Sequence, residues 1–207
     1  MSLLEDTLSQ LGSKKRTFKR RLWNAVRTAY ETNRETCFAA YSHNNSIEIT
    51  KVSLESVSST APEGREYFEE GKGFHFDSVL DDKIMLVHVH PGCEDLARFP
   101  SPSDLYLVSY VPEIIAYFDG KSIHMVVVAK QAFLLSAEQE ERLHFELQSE
   151  LEQGMIEHYW NKLPKDSLES FIKELNKIKN PDGKQVFCAE YWIVSRKNNK
   201  TVYERIA

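Results

Sequence analysis

Three features of the sequence predict an α/β class. Segments with apolar residues at helical spacing alternate with short apolar runs. Those runs are bounded by turn signals such as Asn44-Asn45, Asp119-Gly120 and Asn198-Asn199. The chain has 207 residues, 42% hydrophobic and 28% charged, which is enough to bury one large core. No internal repeat and no low-complexity linker interrupts it. The reading is a single domain over residues 1–207 with a helical insertion or appendage near 136–180.

The elements follow in order. Residues 3–32 read as helix, because Phe18, Leu22, Ala25, Val26 and Tyr30 recur on one face and Asn33 is a plausible stop. Residues 36–41 are short, apolar and partly aromatic, hence a strand. Residues 46–54 alternate Ile47 and Ile49 with polar side chains and return from the Asn44-Asn45 turn as a hairpin. Residues 56–73 are polar and carry Pro62, Gly64, Gly71 and Gly73, so a loop with a helical turn at 65–70 is expected. Residues 84–89 form a buried-strand candidate. Ser101 is a good N-cap, Pro102 suits the first helical position and Asp104 the first turn, with helix expected through Tyr110. Strands are expected at 114–118 and 124–129, one long helix at 137–160, another at 165–179, and a closing hairpin from 186–195 and 201–206.

The net charge is −5 with a pI near 5.8, which argues against global attraction to nucleic acid or anionic lipid. One basic run, from Lys14 to Arg21, reads as the solvated face of the first helix, with phosphate contact as the other reading. Cys37, Cys93 and Cys188 are odd in number and make no C-x-x-C pair, so a reducing compartment fits better than a disulfide framework. The N-terminal residues lack a signal-peptide core and no apolar run reaches the roughly 18 residues of a membrane span. The expectation is a soluble cytoplasmic protein.

Chemistry concentrates in H-V-H-P-G-C-E-D-L-A-R-F-P-S-P-S-D-L, residues 88–105. His88 and His90 share one face of a strand, while Val87 and Val89 point to the other. Pro91-Gly92 ends the strand, leaving the pair at an edge. Two imidazoles so placed can reach one ion, and zinc favours such nitrogens at about 2.0 to 2.1 Å. A catalytic zinc site uses three protein ligands and an open position, and Asp104, in the first turn of the next helix, is a natural third. The plainer readings are a pair of ordinary strand histidines, a Ser101 that only caps, and an Asp104 that only complements the helix dipole.

H-x-H-P followed by S-x-x-D resembles the signature of the JAMM (MPN-plus, JAB) metalloprotease family. That family also places a glutamate upstream, after a helix and before a small apolar strand, and Asn33-Arg34-Glu35-Thr36-Cys37-Phe38-Ala39-Ala40-Tyr41 has that form. The resemblance covers roughly residues 20–130. Ten residues separate His90 from Ser101, more than the family usually has; related bacterial JAB-like domains carry longer loops ending in an S-P-x-D-L helix start. The resemblance implies a curved mixed sheet flanked by helices, similar to cytidine deaminase layers, with an additional C-terminal helical segment. It implies one zinc per chain held by His88, His90 and Asp104, with Glu35 as general base and Ser101 as oxyanion donor. The implied activity is that of an isopeptidase or peptidase, with ubiquitin or a ubiquitin-like conjugate as the partner class.

Alternatives stay open. Glu48 is a second candidate for the base. A catalytically silent scaffold of the same fold would dock partners through the later helices, by faces such as Leu143, Leu147, Leu151 and Ile156, although packing against the sheet is the simpler role for them. A DNA-repair-associated relative is disfavoured by the acidic pI and by the absence of a helix-hairpin-helix glycine pattern. Cys93 reads as a small loop residue and Cys37 as core. His75 can line the cleft but reads more simply as packed or exposed. There is no H-E-x-x-H and no P-loop.

Overall fold

The computed structural model describes residues 2–43, 46–54, 66–69, 73–76, 83–91, 98–108, 112–198 and 200–207. Its order opens with α1 (Leu3–Gln10), a 3₁₀ turn at Gly12–Lys14 and α2 (Lys15–Thr32). Strands β1 (Thr36–His43), β2 (Ser46–Ile49), β3 (Ser53–Leu54), β4 (Glu66–Glu69), β5 (Gly73–Phe76) and β6 (Lys83–Val89) follow. Then come α3 (Pro102–Leu107), β7 (Glu113–Phe118), β8 (Ile123–Lys130), α4 (Ala137–Arg142), α5 (Phe145–Lys162) and α6 (Leu168–Leu175). The described chain closes with β9 (Phe187–Lys197) and β10 (Lys200–Arg205).

One mixed sheet runs β10-β9-β8-β7-β6-β1-β2, with β3 also on β1. Among the described strands only β6 and β7 pair in parallel; the other pairs are antiparallel. The α/β class is therefore observed. Both sheet faces are covered. Phe18, Leu22, Ala25, Val26 and Ala29 of α2, with Leu4 of α1, pack on Phe38, Val87, Val89, Ile114, Ala116 and Met125. On the other face Ile156, Phe171, Ile172 and Leu175 pack with Leu105, Ile115, Val126 and Val128. The helices at 136–180 lie between β8 and β9 in the chain and bury one face of the sheet.

Four expectations need correction. The first helix is two, because Gly12 takes φ +49, a left-handed conformation that breaks the run. The expected long helix at 137–160 breaks at Leu143, which is extended at φ −96 and ψ 140. The helix after Ser101 ends at Leu107, where Val108 turns extended. Residues 66–69 are a strand paired with 73–76, not a helical turn: pairing of Tyr67 with His75 and Phe68 with Phe74 overrides the weak helix preference of the glutamates.

Candidate metal centre

The end of β6 carries the two histidines. Val87 and Val89 are fully buried in the α1/α2 core, so the alternation of the strand sends His88 and then His90 to the α3 side. His90 lies one residue past β6, and its N–H donates to the Ala116 carbonyl at 2.8 Å, which continues the parallel register with β7. The two rings stand edge to face with centroids 4.8 Å apart.

Glu35 arrives from the α2–β1 junction. Asn33 ends α2 in the left-handed conformation, at φ 53 and ψ 40, which asparagine tolerates better than most residues. The Thr36 hydroxyl then donates to the Ala25 carbonyl at 3.1 Å, tying the start of β1 back to α2. Thr36 pairs with Val89 and Cys37 with His88, so Glu35 is delivered to the end of β6 although 53 residues separate it from His88.

Asp104 arrives from α3. Ser101 and Asp104 form a capping box: the Asp104 N–H donates to the Ser101 hydroxyl oxygen at 3.1 Å, and the Ser101 N–H donates to Asp104 Oδ2 at 2.6 Å. The loop entering α3 is pinned from α5, because Trp160 Nε1–H donates to the Pro100 carbonyl at 2.7 Å. Helix α5 thereby helps to place Asp104.

The side chains converge. His88 Nε2 lies 3.0 Å from Glu35 Oε2, and His88 Nδ1 lies 3.1 Å from Asp104 Oδ1. His90 Nε2 lies 3.4 Å from Asp104 Oδ2 and 4.0 Å from Glu35 Oε1. Side-chain exposure is 7% for His90 and Asp104, 17% for His88 and 31% for Glu35, so Glu35 is the member that faces solvent. Burial pushes the His88 imidazolium down. The hydrogen bonds to Asp104 and Glu35 outweigh that and hold its pKa well above the usual histidine value. Burial pushes the Asp104 carboxyl up, but the two histidines more than offset it and hold it well below the usual carboxylate range. Glu35 is lowered by the same balance, with burial opposing His88. As the side chains stand, one imidazole ring bridges two carboxylates.

Among the described residues, Glu35, His88 and His90 offer donor atoms within 4.8 Å of one another and can hold a metal ion. Two nitrogens and a carboxylate oxygen are a donor set that suits a divalent transition ion. Asp104 approaches the Nδ1 edge of His88 and Glu35 the Nε2 edge, on opposite sides of the ring, which explains why Asp104 falls outside that tightest group. Five of the residues singled out in the sequence, Glu35, His88, His90, Ser101 and Asp104, lie in this one constellation. Glu48 does not: it pairs with Tyr41, five strand positions from the Thr36 end of β1, or about 17 Å, and it is exposed. Cys93 and the side chain of His75 lie outside the described residues. Cys37 is buried, and Cys188 is partly buried. No described helix is long and apolar enough to cross a membrane. Neither the protein-family models nor the curated proteins nor the solved structures contain a match to this chain.

Proposed function

We propose that the protein is a zinc-dependent peptidase or isopeptidase of the JAMM type, on a JAB/MPN-like fold, that hydrolyses the amide joining a ubiquitin-like tail to a lysine. The observation that carries the reading is the convergence on His88 and His90 of two carboxylates from different elements, one buried and one facing solvent. His88, His90 and Asp104 would hold the ion, and Glu35 would stay free of it. Zinc so held acts as a Lewis acid and lowers the pKa of a bound water towards about 7.

The roles of the chain's own residues follow from exposure and donor chemistry. Asp104 is the buried carboxylate, tied to its helix by the capping box, and suits a fixed ligand. Glu35 is the half-buried carboxylate that faces solvent. It takes up a proton from the attacking water at a carboxylate oxygen and returns it to the departing amine. Ser101 accepts the Asp104 N–H, which leaves its hydroxyl hydrogen to donate to the carbonyl oxygen as charge develops there. One such donor is typically worth about 3 kcal/mol.

The test separates the two ligand sets. Elemental analysis of the purified protein is expected to show about one zinc per chain. Asp104→Ala and His88→Ala should lose it. Glu35→Gln should keep the zinc and lose hydrolysis of isopeptide-linked ubiquitin-like substrates. Loss of the metal from Glu35→Gln, with retention in Asp104→Ala, would show instead that Glu35, His88 and His90 are the ligands. A protein that takes up no zinc even when it is supplied would turn the reading to a scaffold. Leu147 and Leu151, 51% and 46% exposed and one turn apart on α5, favour that second reading as a partner-docking face.

A further inference from the structure

Part of the sequence's basic run, exposed as a solvated face would be, also borders a groove. Arg16, Lys19, Arg20 and Arg27 of α2 line a groove of about 780 Å³ together with Arg196 at the end of β9 and Thr201 on β10. Five cations therefore meet in one groove of a chain whose net charge is −5. Among the described residues, Arg16, Lys19, Arg20 and Arg196 have no acidic partner, and Arg27 has only the exposed Glu31 at 3.9 Å.

Aromatic rings run through the same groove. The Arg196 guanidinium lies 4.5 Å from the Trp23 ring centroid. Phe118, at the end of β7, meets Trp23 edge-on at 6.1 Å and Tyr30 at 5.5 Å, and Tyr30 is 54% exposed. Trp23 lines the groove with its ring, while its Nε1–H is buried and has no hydrogen-bond partner among the described residues.

We propose that this groove binds single-stranded nucleic acid through its phosphate backbone. The charged groups lining it are guanidinium and ammonium donors, four of the five without an acidic partner among the described residues, which call for a ligand rich in acceptors and negative charge. A peptide would bring its own backbone N–H donors, whereas a phosphodiester strand brings acceptors alone. From Arg16 to Arg27 the helix rises about 16 Å, and with Arg196 beside that stripe the groove presents five cations, enough to engage about four phosphates of a strand. The rings beside the cations supply faces and edges for unpaired bases. The acidic total charge hides the site from a composition-level reading, because electrostatics at this range is set by local charge within about one Debye length. The groove lies on the α2 face of the sheet and the histidine pair on the α3 face, so this inference stands apart from the proposed hydrolase.

The test is fluorescence anisotropy of the full chain with a labelled single-stranded oligonucleotide over a salt series starting at about 50 mM. Saturable binding is expected, with a log–log salt slope of about −3. Arg16→Ala/Arg20→Ala should weaken it on the order of tenfold and make the slope shallower by about 1.4, or about 0.7 per cation removed. These side chains are exposed, so an unchanged melting curve is expected for the variant. Lys184→Ala, exposed and away from the groove, should bind as the parent does. The proposal is overturned if no binding is seen at the lowest salt, or if Lys184→Ala weakens binding as much as the double variant. It is equally overturned if inorganic polyphosphate or poly-glutamate binds and the oligonucleotide does not.

Discussion

One imidazole serves two carboxylates at His88, and the consequences belong to single residues. The ring is held at both nitrogens, so the orientation of His88 is set jointly by α3 and by the α2–β1 junction. A third carboxylate shows the same logic away from the centre. Asp119 accepts the N–H groups of Lys121 and Ser122 at 2.8 and 2.7 Å and faces His124 at 3.0 Å. Burial pushes its carboxyl up, but these contacts prevail and hold it at about 2, against an ordinary 3.8. A depressed carboxylate stabilises the folded state above its unfolded pKa and loses that contribution as pH falls towards 2. Its side chain is 40% exposed, so solvent screening reduces the effect. Asp119→Asn is expected to lower Tm by about 1 to 3 °C near pH 6, and the difference should shrink steadily between about pH 4 and pH 2. Thermal melts of both proteins across that window check it, and a difference that grows on acidification would contradict it.

Element boundaries decide where the chemistry points. Helix α2 stops at a left-handed Asn33, and two residues later Glu35 faces the histidines. A β-branched residue is strained there, because its side chain meets the backbone at positive φ. Asn33→Val is expected to cost about 1 to 2 kcal/mol in urea unfolding. An unchanged midpoint would mean that the left-handed cap is dispensable. The α3 boundary was legible in the sequence, since Ser101-Pro102-Ser103-Asp104 carries the N-cap, the first-turn proline and the reciprocal acid in order, and these act over three residues. The breaks at Gly12 and Leu143 were not. A lone glycine is tolerated within many helices, and nothing local in Arg142-Leu143-His144 forbids one. The strand at 66–69 was missed for a related reason: its pairing partner, and not its own composition, selects the conformation.

Long-range ties hold the layers together at the scale of the whole molecule. Glu190 on β9 accepts the N–H groups of Leu3 and Leu4 at 2.8 and 3.2 Å and so caps α1 from the far end of the chain. Lys130 on β8 pairs with Glu152 of α5 at 3.0 Å, with side chains 5% and 7% exposed, and Glu152 also accepts the Leu134 N–H. Breaking such a pair leaves a buried charge unmatched. Lys130→Met is expected to destabilise the protein by about 3 to 5 kcal/mol. Lys130→Met/Glu152→Gln should recover part of that, since the neutral amide carries no unmatched charge and its oxygen can still accept the Leu134 N–H. Chemical denaturation of the parent and both variants checks the order, and a double variant no more stable than the single would contradict it.

What the sequence by itself determined is local: the α/β class, the β6 strand with its histidines on one face, the turn at Asp119-Gly120, and the capped start of α3. Each rests on periodicity or on side-chain-to-backbone bonds within a few residues, and such forces act before the fold is complete. Only the tertiary structure decided that Glu35 meets His88, since that contact needs the register of β1 on β6. It also decided which edge of the His88 ring each carboxylate takes, and it excluded Glu48 by setting it at the other end of β1. The basic groove is the clearest case. Its α2 half stands in the sequence as a run of lysines and arginines, but Phe118, Arg196 and Thr201 join it only because β7, β9 and β10 bring these strand ends to the same end of the sheet.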